Sequence, residues 1–216
     1  QPLTLKTPKP LIKIGEKNLL ERSISLLAEH GVKEIVINVH HLADQIKNFI
    51  NNKDLKIKII ISDESNELLD TGGGIFKGTE SFGEDPFIVI NPDTVWSKKY
   101  EEELKLLEQL YNKTKKTCLL LVDKSLSFDS SFKGDFNIDG NNRISRNNAN
   151  QFIFTGMQIL DRKVFKDTKK KIFSMNEIWD NLILEKNILA LQSKQKFYHL
   201  NNKNIYEKLL KKKIID

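Results

Sequence analysis

Three short segments hold residue types suited to phosphate and metal. The first is Pro2-Leu-Thr-Leu-Lys-Thr-Pro-Lys-Pro10, in which prolines on both sides of Lys9 fix φ and hold the local backbone extended. An ammonium on a rigid segment suits a phosphate; on spacing alone it equally suits a solvated loop lysine between structural prolines. The second is Leu69-Asp70-Thr71-Gly72-Gly73-Gly74-Ile75. Without Cβ atoms such a run lies flat against a ligand, and free N–H groups at a helix start are donors for an anion or a base edge. A flexible turn is the alternative, although turns rarely need consecutive glycines in this number. No Lys-Ser or Lys-Thr follows, so this is not a Walker loop. The third is Asn91-Pro92-Asp93, just after an apolar run. Asp93 reads either as a hard oxygen ligand for Mg²⁺ at the carboxyl end of a strand or as a turn-initiating Asp.

Other candidates carry less chemistry. His30, His40, His41 and His199 lack partners at zinc spacing. No nucleophile elbow or hydrolase triad is present. Trp96 and Trp179 read as packing residues, and the lone Cys118, inside Thr117-Cys-Leu-Leu-Leu-Val122, reads as a buried thiol in a reducing compartment.

The elements that must position these residues alternate. Helices are expected over about 18–30, 42–51, 102–112, 174–186 and 205–212, with another opened by the glycines at 72–74. Strands are expected over 34–39, 57–62, 87–91 and 117–122. Gly31 supplies a left-handed helix stop, and Ser174-Met-Asn-Glu177 has the form of a capping box. Strands apolar on both faces and separated by helices imply a parallel sheet covered on both sides. Beyond Val122 the pattern changes: a hairpin turn near Asp139-Gly-Asn-Asn142 and the run Phe152 to Leu160 form a partly antiparallel extension. The predicted fold is thus α/β, a Rossmann-like three-layer α/β/α arrangement with a mostly parallel central sheet and a small antiparallel extension, as one domain over 1–216. In such folds the first strand lies mid-sheet and its loop holds phosphate, so a further N-terminal strand and loop is expected ahead of Gln1.

With 39% hydrophobic and 30% charged residues and only strand-sized apolar runs, the chain reads as folded, without a membrane span, and cytoplasmic. The net charge of +6 gathers in Lys169-Lys-Lys171 and Lys211-Lys-Lys213 without interleaved aromatics, a solvated face rather than a nucleic-acid surface.

Taken in order and spacing, the segments resemble the sugar-1-phosphate nucleotidyltransferase family over essentially the whole chain. Pro2-Leu-Thr-x-x-x-Pro-Lys-Pro10 resembles the end of the family signature, whose Gly-x-Gly-x-Arg start does not appear in the sequence. Glu34-Ile-Val-Ile-Asn38, Thr71-Gly-Gly-Gly-Ile-Phe-Lys77, Gly134-Asp-Phe136 and Phe154-Thr-Gly156 resemble one branch of it. That branch contains N-acetylmuramate 1-phosphate uridylyltransferase and mannose-1-phosphate guanylyltransferase-like proteins.

The resemblance implies that Lys9 holds phosphate and Asp93 binds Mg²⁺. It also implies that Thr71, Gly72, Gly73 and Gly74 line the nucleotide, and that Gly134, Asp135 and Gly156 border the sugar. His199 stands where the family commonly has a second metal-binding Asp. Imidazole is a poor Mg²⁺ ligand, so a single ion held by Asp93, triphosphate and waters is the expected form. The implied reaction joins a nucleoside triphosphate to a sugar 1-phosphate and releases pyrophosphate. UTP with N-acetylmuramate 1-phosphate, a cell-wall recycling step, is the first expectation, and GTP with mannose or heptose 1-phosphate the second. An inactive nucleotide-sugar-binding regulatory domain is the alternative of another class.

Overall fold

The computed structural model describes residues 4–212 of the 216-residue chain. Pro2 and Leu3 of the first segment and Lys213 of the basic run lie outside the described residues. A hairpin of β1 (Lys13–Ile14) and β2 (Lys17–Asn18) leads into α1 (Leu19–Glu29). Asn18 starts α1 through a capping box: its side chain accepts from the Glu21 N–H at 2.8 Å while Glu21 accepts from the Asn18 N–H at 2.8 Å. Next come β3 (Glu34–Val39), α2 (Ala43–Asn51), β4 (Lys58–Asp63), α3 (Asp70–Gly78), β5 (Phe87–Ile90), α4 (Glu101–Thr114) and β6 (Thr117–Asp123). They are followed by a hairpin of β7 (Asn137–Ile138) and β8 (Ile144–Ser145), then β9 (Phe152–Leu160), α5 (Met175–Leu184), β10 (Ile188–Ser193) and α6 (Lys203–Leu210).

The three-layer α/β fold read from the pattern is the one found. Leu119 and Leu121 of β6 pack with Ile178 and Trp179 of α5, whereas Cys118 and Leu120 pack with Leu26 of α1 and Leu104 of α4. Alternate residues of one strand therefore bury against helices on opposite faces. The main sheet has the order β10-β6-β9-β5, and β3 and β4 make a separate parallel pair.

Two details differ from expectation. β9 joins the main sheet, antiparallel to both β5 and β6, instead of standing in an extension. The chain reaches it from β6 through the β7–β8 hairpin with no crossover helix, and such a return runs antiparallel. In addition, Ser174 caps α5 through the Asn176 N–H at 3.2 Å, while the Glu177 carboxylate turns to Lys170. The expected reciprocal capping box is therefore not closed.

Between β6 and β9 the register shifts: Leu119 pairs with Gln158 but Leu121 with Phe154, so four residue steps of β9 stand against two of β6. Gly156 sits in this bulge at φ +95°, a conformation disfavoured by a Cβ. Elsewhere the sheet layer is interrupted. Among the described strands β3 pairs with β4 and β5 with β9. A groove of about 710 Å³ lies between them, lined by Ile35, Val36, Ile88 and Ile90, with Ile75 and Tyr111 on its walls.

Cys118 is fully buried, and burial pushes its thiol up to about 12. The native protein is therefore expected to resist iodoacetamide at neutral pH and to take up one label on unfolding in guanidinium; rapid labelling of the folded form would contradict this packing. Among the described residues no helix is long and apolar enough to cross a membrane.

Candidate active site

Asp93 follows β5 and meets an ammonium and an imidazole at one oxygen. Lys9 Nζ lies 2.9 Å from Asp93 Oδ2, and His199 Nε2 lies 3.2 Å from the same atom. Each partner is placed by the backbone. The Leu200 N–H donates to the Asp93 carbonyl and the Val95 N–H to the Tyr198 carbonyl, both at 2.8 Å, so residues 198–200 run strand-like beside 93–95. The His199 ring is set edge-on to Phe132 at 5.5 Å and stacked on Phe197 at 5.9 Å.

Lys9 is rigid, but not through the extended backbone expected from its prolines. It opens a 3₁₀ turn, Lys9–Leu11, in which the Leu11 N–H donates to the Pro8 carbonyl at 2.9 Å and the Ile12 N–H to the Lys9 carbonyl at 3.1 Å. These two bonds, together with the φ-locked rings of Pro8 and Pro10, fix the ammonium.

The same segment shows that the strand ends share a rim. His41 Nε2 lies 2.9 Å from the Thr4 carbonyl, and the Gln45 amide donates to the Lys6 carbonyl at 3.0 Å. Since His41 follows β3 and Asp93 follows β5, residues 4–9 bridge the carboxyl ends of both strands. Open α/β sheets bind ligands at this rim.

Burial pushes the Asp93 carboxyl up, but the hydrogen bond and charge of His199 and the charge of Lys9 outweigh it and hold the group well below the usual carboxylate range. Asp93 is thus anionic at neutral pH. Its Oδ1 is buried and has no hydrogen-bond partner. Leaving such an acceptor unsatisfied costs about 1–3 kcal/mol, and a cation removes that cost. The carboxylate therefore fits a divalent ion. Among the described residues no three His, Cys, Asp or Glu side chains gather into a metal site, so substrate phosphate and water would complete the shell.

The glycine run departs from its expected role as a set of free donors. The N–H groups of Gly72 and Gly73 both donate to the Phe173 carbonyl, at 2.9 and 3.1 Å. A Cβ on Gly72 would strike the Phe173 ring, and one on Gly73 would strike the Lys171 carbonyl. Thr71 Oγ1 accepts from the Met175 N–H at 3.0 Å, and a Cβ on Gly74 would press on the Glu64 carboxylate. The physical reason is close packing: α3 lies against the 171–173 backbone, and only glycine allows that approach. Gly73→Ala is accordingly expected to destabilise the ligand-free protein by about 1–3 kcal/mol, a fall in melting temperature of roughly 3–10 °C. An unchanged melt would show that 171–173 yields to the methyl group.

The residues expected near the sugar are joined to β9. Asp135 Oδ2 accepts from the Phe154 N–H at 2.8 Å, which ties Gly134-Asp135 to the strand two residues before the bulge. Gly156 is carried against Asn91, whose N–H donates to the Gly156 carbonyl at 2.8 Å, and Thr94 Oγ1 donates to the Thr155 carbonyl at 2.7 Å. The bulge thus holds Gly156 against Asn91, two residues before Asp93 in the chain. Sequence reasoning missed Asn38 and Glu64. Asn38 Nδ2 donates to Glu64 Oε1 at 2.6 Å and to the Gly74 carbonyl at 2.9 Å, locking α3 to the ends of β3 and β4. The strand-end rule that singled out Asp93 points equally to both.

An α/β sheet that gathers an ammonium, an anionic carboxylate and a glycine-rich helix at one strand-end rim has the chemistry to receive phosphate there. Residues 1–206 match the family model described as nucleotidyl transferase, and the chain belongs to that family. The N-acetylmuramate alpha-1-phosphate uridylyltransferase of Caulobacter vibrioides is 24% identical over 209 residues, covering 94% of this chain and 86% of its own length. Its namesake from Neisseria meningitidis serogroup B is 29% identical over 168 residues, covering 76% and 71%. Among solved structures, HddC from Yersinia pseudotuberculosis complexed with GMP-PN has a TM-score of 0.75 at 25% identity, covering 94% of this chain and 88% of that one. The activity class is sugar-1-phosphate nucleotidyl transfer.

Proposed function

We propose that the chain joins UTP to N-acetylmuramate 1-phosphate, giving the UDP-sugar and pyrophosphate. Convergence of Lys9, Asp93 and His199 at the rim supports transfer here. The breadth of the match supports the substrates: the two uridylyltransferases align over 94% and 76% of the chain, whereas a rice protein described as a probable mannose-1-phosphate guanylyltransferase aligns over 47%. A second reading, GTP with mannose or heptose 1-phosphate, is favoured by the likeness to HddC bound to GMP-PN.

The chemistry is in-line attack by a sugar-phosphate oxygen on the α-phosphorus. The attacking group is already an anion, so no general base is needed and alignment of polyanions dominates. Lys9 would offset phosphate charge and Asp93 would hold the ion. A divalent cation, Mg²⁺ in the simplest case, supplies charge neutralisation when bound. Thr71 to Gly74 would position α3 beside the nucleotide, and Gly134, Asp135 and Gly156 would border the sugar.

A panel of UTP and GTP against N-acetylmuramate, mannose and heptose 1-phosphates, read by pyrophosphate release, tests the pairing. Selective release with UTP and N-acetylmuramate 1-phosphate is expected; preference for GTP transfers support to the second reading. Nucleotide binding without release from any pair would make the chain a regulatory binder. The groove between β3 and β5 supports one further element of the reading, a strand preceding Gln1 that pairs with both edges. Mass spectrometry of the intact natural protein should then give a chain longer than 216 residues, and a natural start at Gln1 would refute it.

A further inference from the structure

We propose that the far end of the sheet carries a second anion site, a lysine-bordered cavity that takes a small phosphate-bearing metabolite away from the Asp93 rim. β5 and β6 both run antiparallel to β9 and therefore in the same direction, so Thr117 at the start of β6 lies at the sheet end opposite Asp93. There a cavity of about 610 Å³ opens between α5 and the strap 161–173 that follows β9. Its volume is that of an ordinary small-molecule site, and Val164, Ile178 and Leu182 supply its apolar lining.

Six lysines border this cavity against four carboxylates, and the local pairing leaves the excess uncompensated. Lys163 and Lys170 are neutralised by Glu84 and Glu177. Lys115 Nζ donates to Asn112 Oδ1 at 3.2 Å and Lys116 Nζ to the Lys186 carbonyl at 2.8 Å, both uncharged acceptors. The ammonium groups of Lys166 and Lys169 make no ion pair or hydrogen bond among the described residues. Among the acids, Asp161 accepts from the Tyr111 hydroxyl at 2.9 Å and the Lys163 N–H at 2.8 Å, and Glu185 accepts from the Asn187 amide at 3.3 Å. Asp167 is the one carboxylate of the cavity without such a partner. Four ammonium groups without a carboxylate partner repel one another around one space, and a bound anion removes that repulsion.

The arrangement favours phosphate over a simple carboxylate. Lys115 and Lys116 come from the turn between α4 and β6, whereas Lys166 and Lys169 come from the strap. A carboxylate brings one charge, but pyrophosphate or a phosphate ester spreads a larger charge over several oxygens and can engage both pairs. The apolar lining gives the organic part of an ester a contact that inorganic pyrophosphate does not use. The strap is also tied to α3. It ends at Phe173, whose carbonyl accepts from the N–H groups of Gly72 and Gly73, so an anion joining the strap to the 115–116 turn steadies the contact that holds that helix.

The test is lysine acetylation of the full-length protein by an N-hydroxysuccinimide ester, read residue by residue by mass spectrometry. It is run with inorganic pyrophosphate, with UDP, with a hexose 1-phosphate and without ligand. Labelling of Lys166 and Lys169 should slow at least about threefold once ligand exceeds twice its dissociation constant, while the exposed Lys99 and Lys208 react as before. Occupation of the catalytic rim is read separately at Lys9. Equal protection by all three probes assigns the phosphate group itself, and stronger protection by UDP or the hexose phosphate assigns an ester seated on the apolar lining. In Lys166→Glu/Lys169→Glu the protection of Lys115 should disappear with basal pyrophosphate release unchanged. No protection of Lys166 and Lys169 by any probe, equal slowing at Lys99 and Lys208, or persistent protection of Lys115 in the double variant overturns the proposal. The wild-type footprint decides even if the variant misfolds.

Discussion

Asp93→Asn is expected to lower the rate of pyrophosphate release by about 10²–10³-fold while the melting temperature stays close to that of the wild type. The magnitude is that of removing one preorganised electrostatic group from a transition state. The side chain is nearly isosteric, so packing at the end of β5 is kept. What is lost is the anion: Asn keeps an oxygen for a cation but not the charge that draws it from water, and the shared acceptor of Lys9 and His199 loses its charge. Weakened capture of the ion should appear as a partial rescue at high divalent-metal concentration. Turnover within about threefold of wild type would remove Asp93 from the reaction centre.

Lys9→Ala is expected to act through a different term. Its ammonium is the cation that this rim itself supplies beside Asp93, and it is held by the 3₁₀ turn between Pro8 and Pro10. Loss of charge opposite the reacting phosphates should reduce kcat by about 10²-fold. Lys9→Arg, which keeps the charge but presents a planar fork from a longer side chain, should recover only part of that loss. A purely structural Lys9 predicts the opposite ordering: a lowered melt for Lys9→Ala, full rescue by Arg and an unaffected kcat in any molecule that remains folded.

The elements were legible wherever one local signal dominated. Glu34 to Val39 is apolar on alternate sides of a short run, and Gly31 marks the end of the preceding helix, so β3 falls where periodicity places it. Asp93 was legible for a related reason, since the strand-end rule depends only on recognising β5. What local reading could not give was the partner of each strand. β9 has the same apolar composition as its neighbours, and its antiparallel direction follows from the route of the chain through β7 and β8 rather than from its own residues. β10, in Ile188 to Ser193, has no local signature, because a four-residue apolar run that follows a helix closely carries no turn signal of its own.

The site divides in the same way. Charge and residue type pointed to Lys9 and Asp93, and their 84-residue separation in sequence closes to 2.9 Å in space. The glycines read as ligand backbone because their freedom from side chains is visible in sequence, whereas the Phe173 carbonyl that takes up the N–H groups of Gly72 and Gly73 is not. His199 was placed by analogy alone. Its contact with Asp93 depends on the 198–200 segment pairing with 93–95, a long-range event without local signature.

The central claim is nucleotidyl transfer at the Lys9, Asp93 and His199 rim, and ³¹P NMR of the full-length protein with UTP, N-acetylmuramate 1-phosphate and a divalent cation tests it most directly. The resonances of UTP should be replaced by those of pyrophosphate and a UDP-sugar, and Asp93→Asn should suppress the change. Persistence of the UTP and sugar-phosphate signals with protein, nucleotide and metal all bound, and the same persistence with GTP and each alternative sugar phosphate, would contradict it.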